Sequence, residues 1–432
     1  MAEFASLDAW IERQRVASAE RMLACVSATG LERPGPRLGQ VMRPAPGSVL
    51  AAAEPDPGPG EPDYFFHWLR DGAIVIGALV TLALQGRLPG SAKGRLAESL
   101  TFDLSLARRD GRRIAAGTAW PPPLLPTLTP FLRPREEFLA AHGTAVAGEV
   151  RFNPDGSLDL LRWGRPQHDG PALRALTTLR MLEGGLLAAA DERARAERLL
   201  RADLAFCLAR HGRPGFDPWE EELGQHFFTR LVQRAAFARG SAWAERRNQS
   251  RLAKRLRAAV EALDAALAGH WSEAEGLYRS RLPGPGISES KILDSAVLVA
   301  VVHAGPAEGA FGLFDPRVEA TVARLEAYFA RDFPVNAGRS GTDGLALGRY
   351  PGDVYLGGGV FLPCAFALAE YRYRRGESAL GDAVLGFLAR LLPADGRLPE
   401  QLDRASGAPR SAGDLAWSHA ALLTAVAARD RG

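Results

Sequence analysis

The chain has 432 residues, 47% of them hydrophobic and 24% charged, which is ample apolar mass for a packed core and excludes a disordered chain. Net charge is only +3; 50 of the 53 basic residues are Arg and three are Lys (Lys93, Lys254 and Lys291). The arginines are interleaved with Asp and Glu, so no basic arm or stripe forms and nucleic acid is excluded as a partner. In chain order, apolar periodicity predicts helices over 5–27, 72–87, 93–109, 171–189, 193–210, 225–244, 246–268, 290–303, 315–331, 359–375, 378–391 and 412–429. The clearest stripe is Leu252, Leu256, Val260, Leu263 and Leu267, stopped by Gly269. Pro171 suits the first turn of its helix, and Ser411 with Asp414 has the spacing of a capping box before the last one. Strands are few; a short pair is expected around 150–163, on either side of Asn153-Pro154-Asp155-Gly156.

Between these helices lie long stretches rich in Gly, Pro and Asp: 30–67, 110–170, 211–224, 272–288, 332–357 and 393–411. They follow alternate helices, with shorter breaks between. Helical pairs joined by short turns at one end and long loops at the other predict an all-α toroid of helical hairpins, its function carried on the loops. No repeat or composition shift marks a boundary, so one domain over 1–432 is expected, with 51–62 a surface loop rather than a linker. The apolar runs 74–84 and 296–302 are too short to span a bilayer, so no membrane partner is expected. The N-terminus shows no signal-peptide pattern. Cys25, Cys207 and Cys364 sit apart in apolar contexts and read as buried free thiols. Together these predict a cytoplasmic protein.

Five loop clusters concentrate the aromatic and charged residues: Tyr64 to Asp71, Trp163 to Pro171, Asp217 to Glu222, Gly348 to Tyr355 and Pro399 to Asp403. Flat aromatic faces stack on the C–H faces of pyranose rings. Arg and Asp fork onto vicinal hydroxyls. Two separate carboxylate clusters supply an acid and a base. No dinucleotide fingerprint, P-loop, zinc-protease helix or nucleophile elbow is present, and the eight His show no metal-ligand spacing.

In order, PDYFFHWLRD, WGRPQHDGPALRA, DPWEEELGQHFFT, GRYPGDVY and PEQLDRASGAPRSAGDLAWSHAALLTA resemble glycoside hydrolase family 15, the glucoamylase family, from about residue 6 to 429. The resemblance implies an (α/α)6 barrel and exo-hydrolysis of terminal α-glucosidic bonds with inversion. Glu220 matches the general acid and Glu400 the general base that activates water on the opposite ring face. Asp217 belongs to the same signature, but it lies too close in sequence to Glu220 to be the preferred base. Arg70 and Asp71 match the pair holding the terminal glucose. Tyr64, Trp68 and Trp417 line that end of the pocket, Trp163 packs over the acid and the adjacent sugar, and Trp219, next to Glu220, belongs with the substrate-binding residues. Glu221, Arg349, Asp353 and Tyr355 match the aglycone side.

The resemblance implies an α-glucan or oligosaccharide substrate and no metal or organic cofactor. Three positions depart from the family pattern: Leu223 for a polar residue, Phe361 for an aglycone-side Trp, and His168 for an Arg. They bear on chain length and linkage, leaving isomaltose, dextran or trehalose hydrolysis as an alternative. A non-catalytic sugar-binding toroid is the other alternative, and the presence of both carboxylates speaks against it.

Overall fold

The computed structural model describes residues 6–37, 39–54, 61–117, 120–284, 291–306 and 308–431. Its α-helices are α1 (Leu7–Ala24), α2 (Leu69–Leu84), α3 (Gly94–Leu106), α4 (Arg112–Ala115), α5 (Arg135–Ala140), α6 (Gly170–Glu183), α7 (Ala190–Arg210), α8 (Phe227–Arg246), α9 (Ser250–Ala268), α10 (Ala296–Ala304), α11 (Pro316–Asp332), α12 (Leu362–Arg374), α13 (Ser378–Leu391) and α14 (Ala416–Arg429). Helices α4 and α5 are single short segments inside the long 110–170 stretch. The other twelve alternate in burial. Helices α2, α6, α8, α10, α12 and α14 are buried on nearly all sides, whereas α1, α3, α7, α9, α11 and α13 bury one stripe.

That alternation follows from composition. After Asp71, α2 reads GAIVIGALVTLAL without a charge, and every residue through Leu82 is buried. Helix α11 places Val318, Val322, Leu325 and Phe329 on its buried side and charged residues on the other. A helix apolar all round belongs inside, and an amphipathic one covers it.

The chain forms two compact units. One comprises 23–223 and 239–253; in it α2 packs on α3 and α6, and α7 packs on α3 and α6. Its apolar cluster of Leu69, Phe102, Leu106, Val146, Phe152 and Leu158 ties the start of α2 to α3 and to the 143–158 segment. The other comprises 1–22, 224–238 and 254–432; in it α12 packs against α10, α13 and α14.

All twelve expected helices are present, and the shifts at their ends have local causes. Helix α12 begins at Leu362 rather than 359 because Val360 and Phe361 pair antiparallel with Leu402 and Gln401. Helix α10 begins at Ala296 because Asp294 accepts from the Ala296 N–H at 2.7 Å and pairs with Arg281 at 3.0 Å, both buried. Residue 290, the expected start, lies outside the described residues, as do 55–60 of the 51–62 loop.

The capping box at Ser411 and Asp414 does not form. Helix α14 starts at Ala416 with Leu415 as its N-cap. Asp414 is instead occupied by Arg21, His419 and the Leu398 N–H. The turn at Asn153 is present, with a bridge between Phe152 and Leu158, but the main partner of Arg151 and Phe152 is His67–Trp68, far away in sequence. The three cysteines are buried and free of disulfides. Among the described residues no helix is long and apolar enough to cross a membrane.

Three buried histidines make the fold acid-sensitive. Burial, with Arg174 nearby, lowers His67 to about 3; burial lowers His168 to about 4; burial, with Arg230 nearby, lowers His270 to about 3. Each folded pKa lies below the ordinary 6.5, so the unfolded chain binds more protons. The stabilisation is complete above pH 6.5, is lost progressively as pH falls from there towards the folded values, and falls no further below them. For His168 the loss near pH 4 is about 3 kcal/mol. Thermal melts from neutral pH down to about 4.5 should show Tm falling. His168→Phe should take up about one proton fewer on unfolding. An unchanged proton uptake would contradict a neutral buried His168.

Candidate active site

The first cluster forms where the chain enters α2. His67 and Trp68 pair with Phe152 and Arg151, which fixes Trp68 at the helix start and puts Arg70 and Asp71 in the first turn. Arg70 is buried. Its guanidinium donates to Gln167 at 2.9 Å, Asp169 at 3.0 Å and Glu220 at 2.8 Å, and its Nε lies 3.7 Å from Asp71. Burial alone would lower its pKa. The carboxylates of Asp169, Glu220 and Asp71 outweigh that and raise it, so Arg70 is a permanent cation here. Asp169 also caps α6 by accepting from the Gly170 N–H at 2.8 Å, which locks the Arg70 partner to the start of that helix.

Glu220 lies at the focus of this cluster. One carboxylate oxygen accepts from Arg70; the other accepts from the indole N–H groups of Trp68, at 3.3 Å, and Trp163. The rings of Tyr64, Trp68 and Trp163 form a wall, with edge-to-face centroid distances of 5.5 Å and 6.1 Å. Arg151 stands behind it, 3.7 Å over Trp163, 4.1 Å over Phe66 and 5.0 Å over Trp68. Asp159 holds Arg151 at 2.8 Å and Arg165 at 2.9 Å, and Arg165 reaches Glu149 at 2.8 Å. This buried ion chain is what makes the long 110–170 stretch a fixed support.

The loop carrying Glu220 is closed on itself. Asp217 is buried; its Oδ1 accepts from the N–H groups of Glu221 and Glu222 at 2.7 and 3.0 Å, while the Glu220 N–H donates to the Asp217 carbonyl at 2.9 Å. Asp217 is therefore seen shaping this turn. Trp219 is buried within it and Glu221 is exposed. The closure forces Glu220 to φ +68°, a left-handed conformation that a non-glycine residue holds only when its surroundings impose it.

Gly164 makes room for the turn. A Cβ there would lie 2.7 Å from the Glu220 carbonyl oxygen and 2.9 Å from the Phe216 ring. Gly164→Ala should therefore push the Glu220 loop and Trp163 apart and lower kcat by about tenfold, with Tm falling by only a few degrees, about 1–2 kcal/mol. An unaffected kcat would contradict this positioning.

The second cluster lies in the other unit. Arg349 forks onto Asp353 at 2.8 and 2.6 Å, and its guanidinium sits 4.9 Å over Tyr355. Asp353 also accepts from the Tyr355 N–H at 2.9 Å. Phe361 and Trp417 are both buried and meet edge to face at 6.2 Å.

Glu400 precedes the strand Gln401–Leu402. Its N–H donates to Ala412 and its carbonyl accepts from Leu362. Gly359 allows the close strand approach here: a Cβ would meet the Leu402 carbonyl at 2.2 Å. The hydroxyl of Ser411 donates to the Glu400 carboxylate, and Ser411 is itself held at φ +66°. Both candidate catalytic carboxylates are thus tied to a left-handed residue: Glu220 is one, and Glu400 is held by one.

Of the sequence-identified residues, Tyr64, Trp68, Arg70, Asp71, Trp163, Asp217, Trp219, Glu220 and Glu221 fall in one unit. Arg349, Asp353, Tyr355, Glu400 and Trp417 fall in the other. Sequence reasoning missed Gln167, Asp169, Arg151 and Ser411. The first two stand inside a noted motif; the signal for Ser411 was there but pointed to a helix cap. Of the three departures, His168 is buried against Phe206, at 5.8 Å, and Leu223 is half exposed. Phe361 packs with Arg349 and Trp417, 6.0 and 6.2 Å away.

The sequence pattern described as Glycosyl hydrolases family 15 matches residues 34–101 and 148–427. The chain is 26% identical to the probable glucoamylase of Schizosaccharomyces pombe over an alignment of 475 residues, covering 99% of this chain and 92% of the relative. It is 26% identical to the glucoamylase of Blastobotrys adeninivorans over 456 aligned residues, covering 89% and 68%. Among solved structures, the glucoamylase of Saccharomycopsis fibuligera matches with a TM-score of 0.80 at 22% identity, covering 99% of this chain and 96% of that one. The fold is accordingly the (α/α)6 barrel of these enzymes, consistent with the alternation of buried and amphipathic helices. With the family pattern matching 34–101 and 148–427 and so taking in both carboxylate clusters, the chain belongs to the glycosyl hydrolases of family 15.

Proposed function

We propose that the chain is an inverting, exo-acting α-glucosidase of the glucoamylase type, releasing β-glucose from non-reducing ends of α-glucans or malto-oligosaccharides. The observation that carries this reading is Glu220, held by Arg70 and two indole N–H groups within a wall of sugar-sized aromatic faces. In this reading Glu220 gives its proton to the glycosidic oxygen as the bond breaks. Glu400 takes a proton from the attacking water, and Ser411 fixes which carboxylate oxygen remains to do so.

Tyr64, Trp68 and Trp417 bind the terminal glucose, with Asp71 accepting from its hydroxyls. Trp163 covers the scissile bond. Arg349, Asp353, Tyr355 and Glu221 bind the aglycone side. Asp217 and Trp219 set the Glu220 turn. Arg70 acts chiefly through Glu220, because both terminal nitrogens of its guanidinium donate to protein groups. The whole of 1–432 is proposed as one catalytic domain, because the family pattern matches 34–101 and 148–427 and so takes in both carboxylates. The three buried, disulfide-free cysteines favour work in a reducing compartment, on soluble oligosaccharides.

The test is product analysis with maltoheptaose, isomaltotriose and trehalose as separate substrates. The expected result is glucose as the first product from maltoheptaose, with the next shorter oligosaccharide beside it and at least about tenfold slower release from the other two. Internal fragments would contradict exo-action. A preference for isomaltotriose or trehalose would move the linkage assignment. No hydrolysis of any of them would end the enzymatic reading.

A further inference from the structure

Beside the start of α2, and lined by none of the residues assigned to substrate, a cavity of about 300 Å3 opens between α3, the 143–147 segment and α7. Its mouth is ringed by small exposed residues, Gly143, Thr144, Ala202 and Ala205. Its walls are apolar, with Leu69, Leu106, Val146, Phe152, Leu199 and Phe206. Its floor is not. Asp103, Arg174 and Asp203 all line it.

Arg174 forks onto Asp203 at 3.0 and 2.7 Å and donates to one oxygen of Asp103 at 3.0 Å. The remaining oxygen of Asp103 has no hydrogen-bond donor among the described residues. The nearest other candidate is His67 Nε2, which lies 3.8 Å from Asp103 Oδ1, beyond hydrogen-bond reach. His67 is neutral, since burial lowers it to about 3. Two carboxylates therefore share one guanidinium, leaving the floor one negative charge in excess. Burial pushes Asp203 up to about 6 and raises Asp103 as well, the response of carboxylates whose charge is incompletely compensated.

We propose that this cavity is a binding site for a small organic monocation, an ammonium head on a compact apolar body. The head supplies the missing donor to Asp103 and neutralises the excess charge. The body replaces water against the leucine, valine and phenylalanine walls. An inorganic cation would leave those walls wet, and a neutral molecule would leave the floor uncompensated.

The probe is 2-phenylethylammonium, titrated calorimetrically into the full chain near neutral pH, with the neutral isostere 2-phenylethanol in parallel. The expected result is a Kd of about 1 mM for the amine and at least about tenfold weaker binding of the alcohol. Asp103→Asn should abolish the difference between them. Because Asp103 also pairs with Arg174, Ala202→Trp provides a second variant; it closes the mouth from an exposed position and should remove amine binding while the thermal melt stays intact. Glu220→Gln and Glu400→Gln should bind the amine as the parent does. Loss of binding in either would assign the amine to the catalytic carboxylates and overturn the proposal. So would equal binding of the alcohol, undiminished binding in Ala202→Trp, or no binding to the parent.

Discussion

Glu220→Gln should lower kcat on maltotriose by about 10³-fold while costing far less on α-glucosyl fluoride. The glutamine keeps the size of the side chain, and its single carbonyl oxygen can accept from Arg70 or from the indoles but not from both; the turn persists because Asp217 holds it through the Glu221 and Glu222 N–H groups. What is lost is the proton for the departing sugar oxygen. A sugar alkoxide is a poor leaving group and needs that proton; fluoride leaves with little help. The ratio of the two rates therefore isolates proton donation from binding. A loss of about 4 kcal/mol in transition-state stabilisation on maltotriose, with fluoride hydrolysis reduced by no more than about tenfold, is the expected pattern. An equal loss on both donors would show that Glu220 serves charge stabilisation or binding instead. Thermal melts of the variant guard against a fold effect, because Arg70 is buried and any carboxylate withdrawn from it leaves charge uncompensated.

Glu400→Gln should behave differently, with kcat falling by about 10³-fold on both donors. Activation of the attacking water is needed whatever group leaves. Ser411 donates to one oxygen of Glu400, and this should orient the other. Removing the hydroxyl in Ser411→Ala ought to give a smaller loss, about tenfold, because the base survives but its orientation loosens. Retention of fluoride hydrolysis in Glu400→Gln would remove Glu400 from the base role. The two variants together thus separate acid from base without any assumption about the distance between them.

Much of this organisation was legible from sequence, for identifiable reasons. The twelve long helices announce themselves because a helix buried on all sides, such as α2, is a run of apolar residues, while a covering helix such as α11 repeats every three to four residues. Helices α4 and α5 escaped because four and six residues are too few to show a period. The pairing of His67–Trp68 with Arg151–Phe152 escaped because it joins segments far apart in sequence, and nothing local encodes it.

Ser411 and Asp414 show how a correct local signal can be overruled. Their spacing fits a capping box, yet Glu400 claims the hydroxyl and Arg21 with His419 claims the carboxylate. The helix then starts further on. In the candidate site, the aromatic and acidic residues stood out by type. Arg151 did not, because one arginine among 50 carries no mark until Phe66, Trp68 and Trp163 are seen around it.

The central claim is that Glu220 and Glu400 perform a single displacement at the anomeric carbon. Proton NMR of the chain with maltotriose, following the anomeric signals from the first minutes, tests it most directly. The account predicts that the newly released glucose appears first as the β-anomer and only later equilibrates, and that neither Glu220→Gln nor Glu400→Gln produces this early signal. Early α-glucose would mean retention through a covalent intermediate and would contradict the role assigned to Glu400.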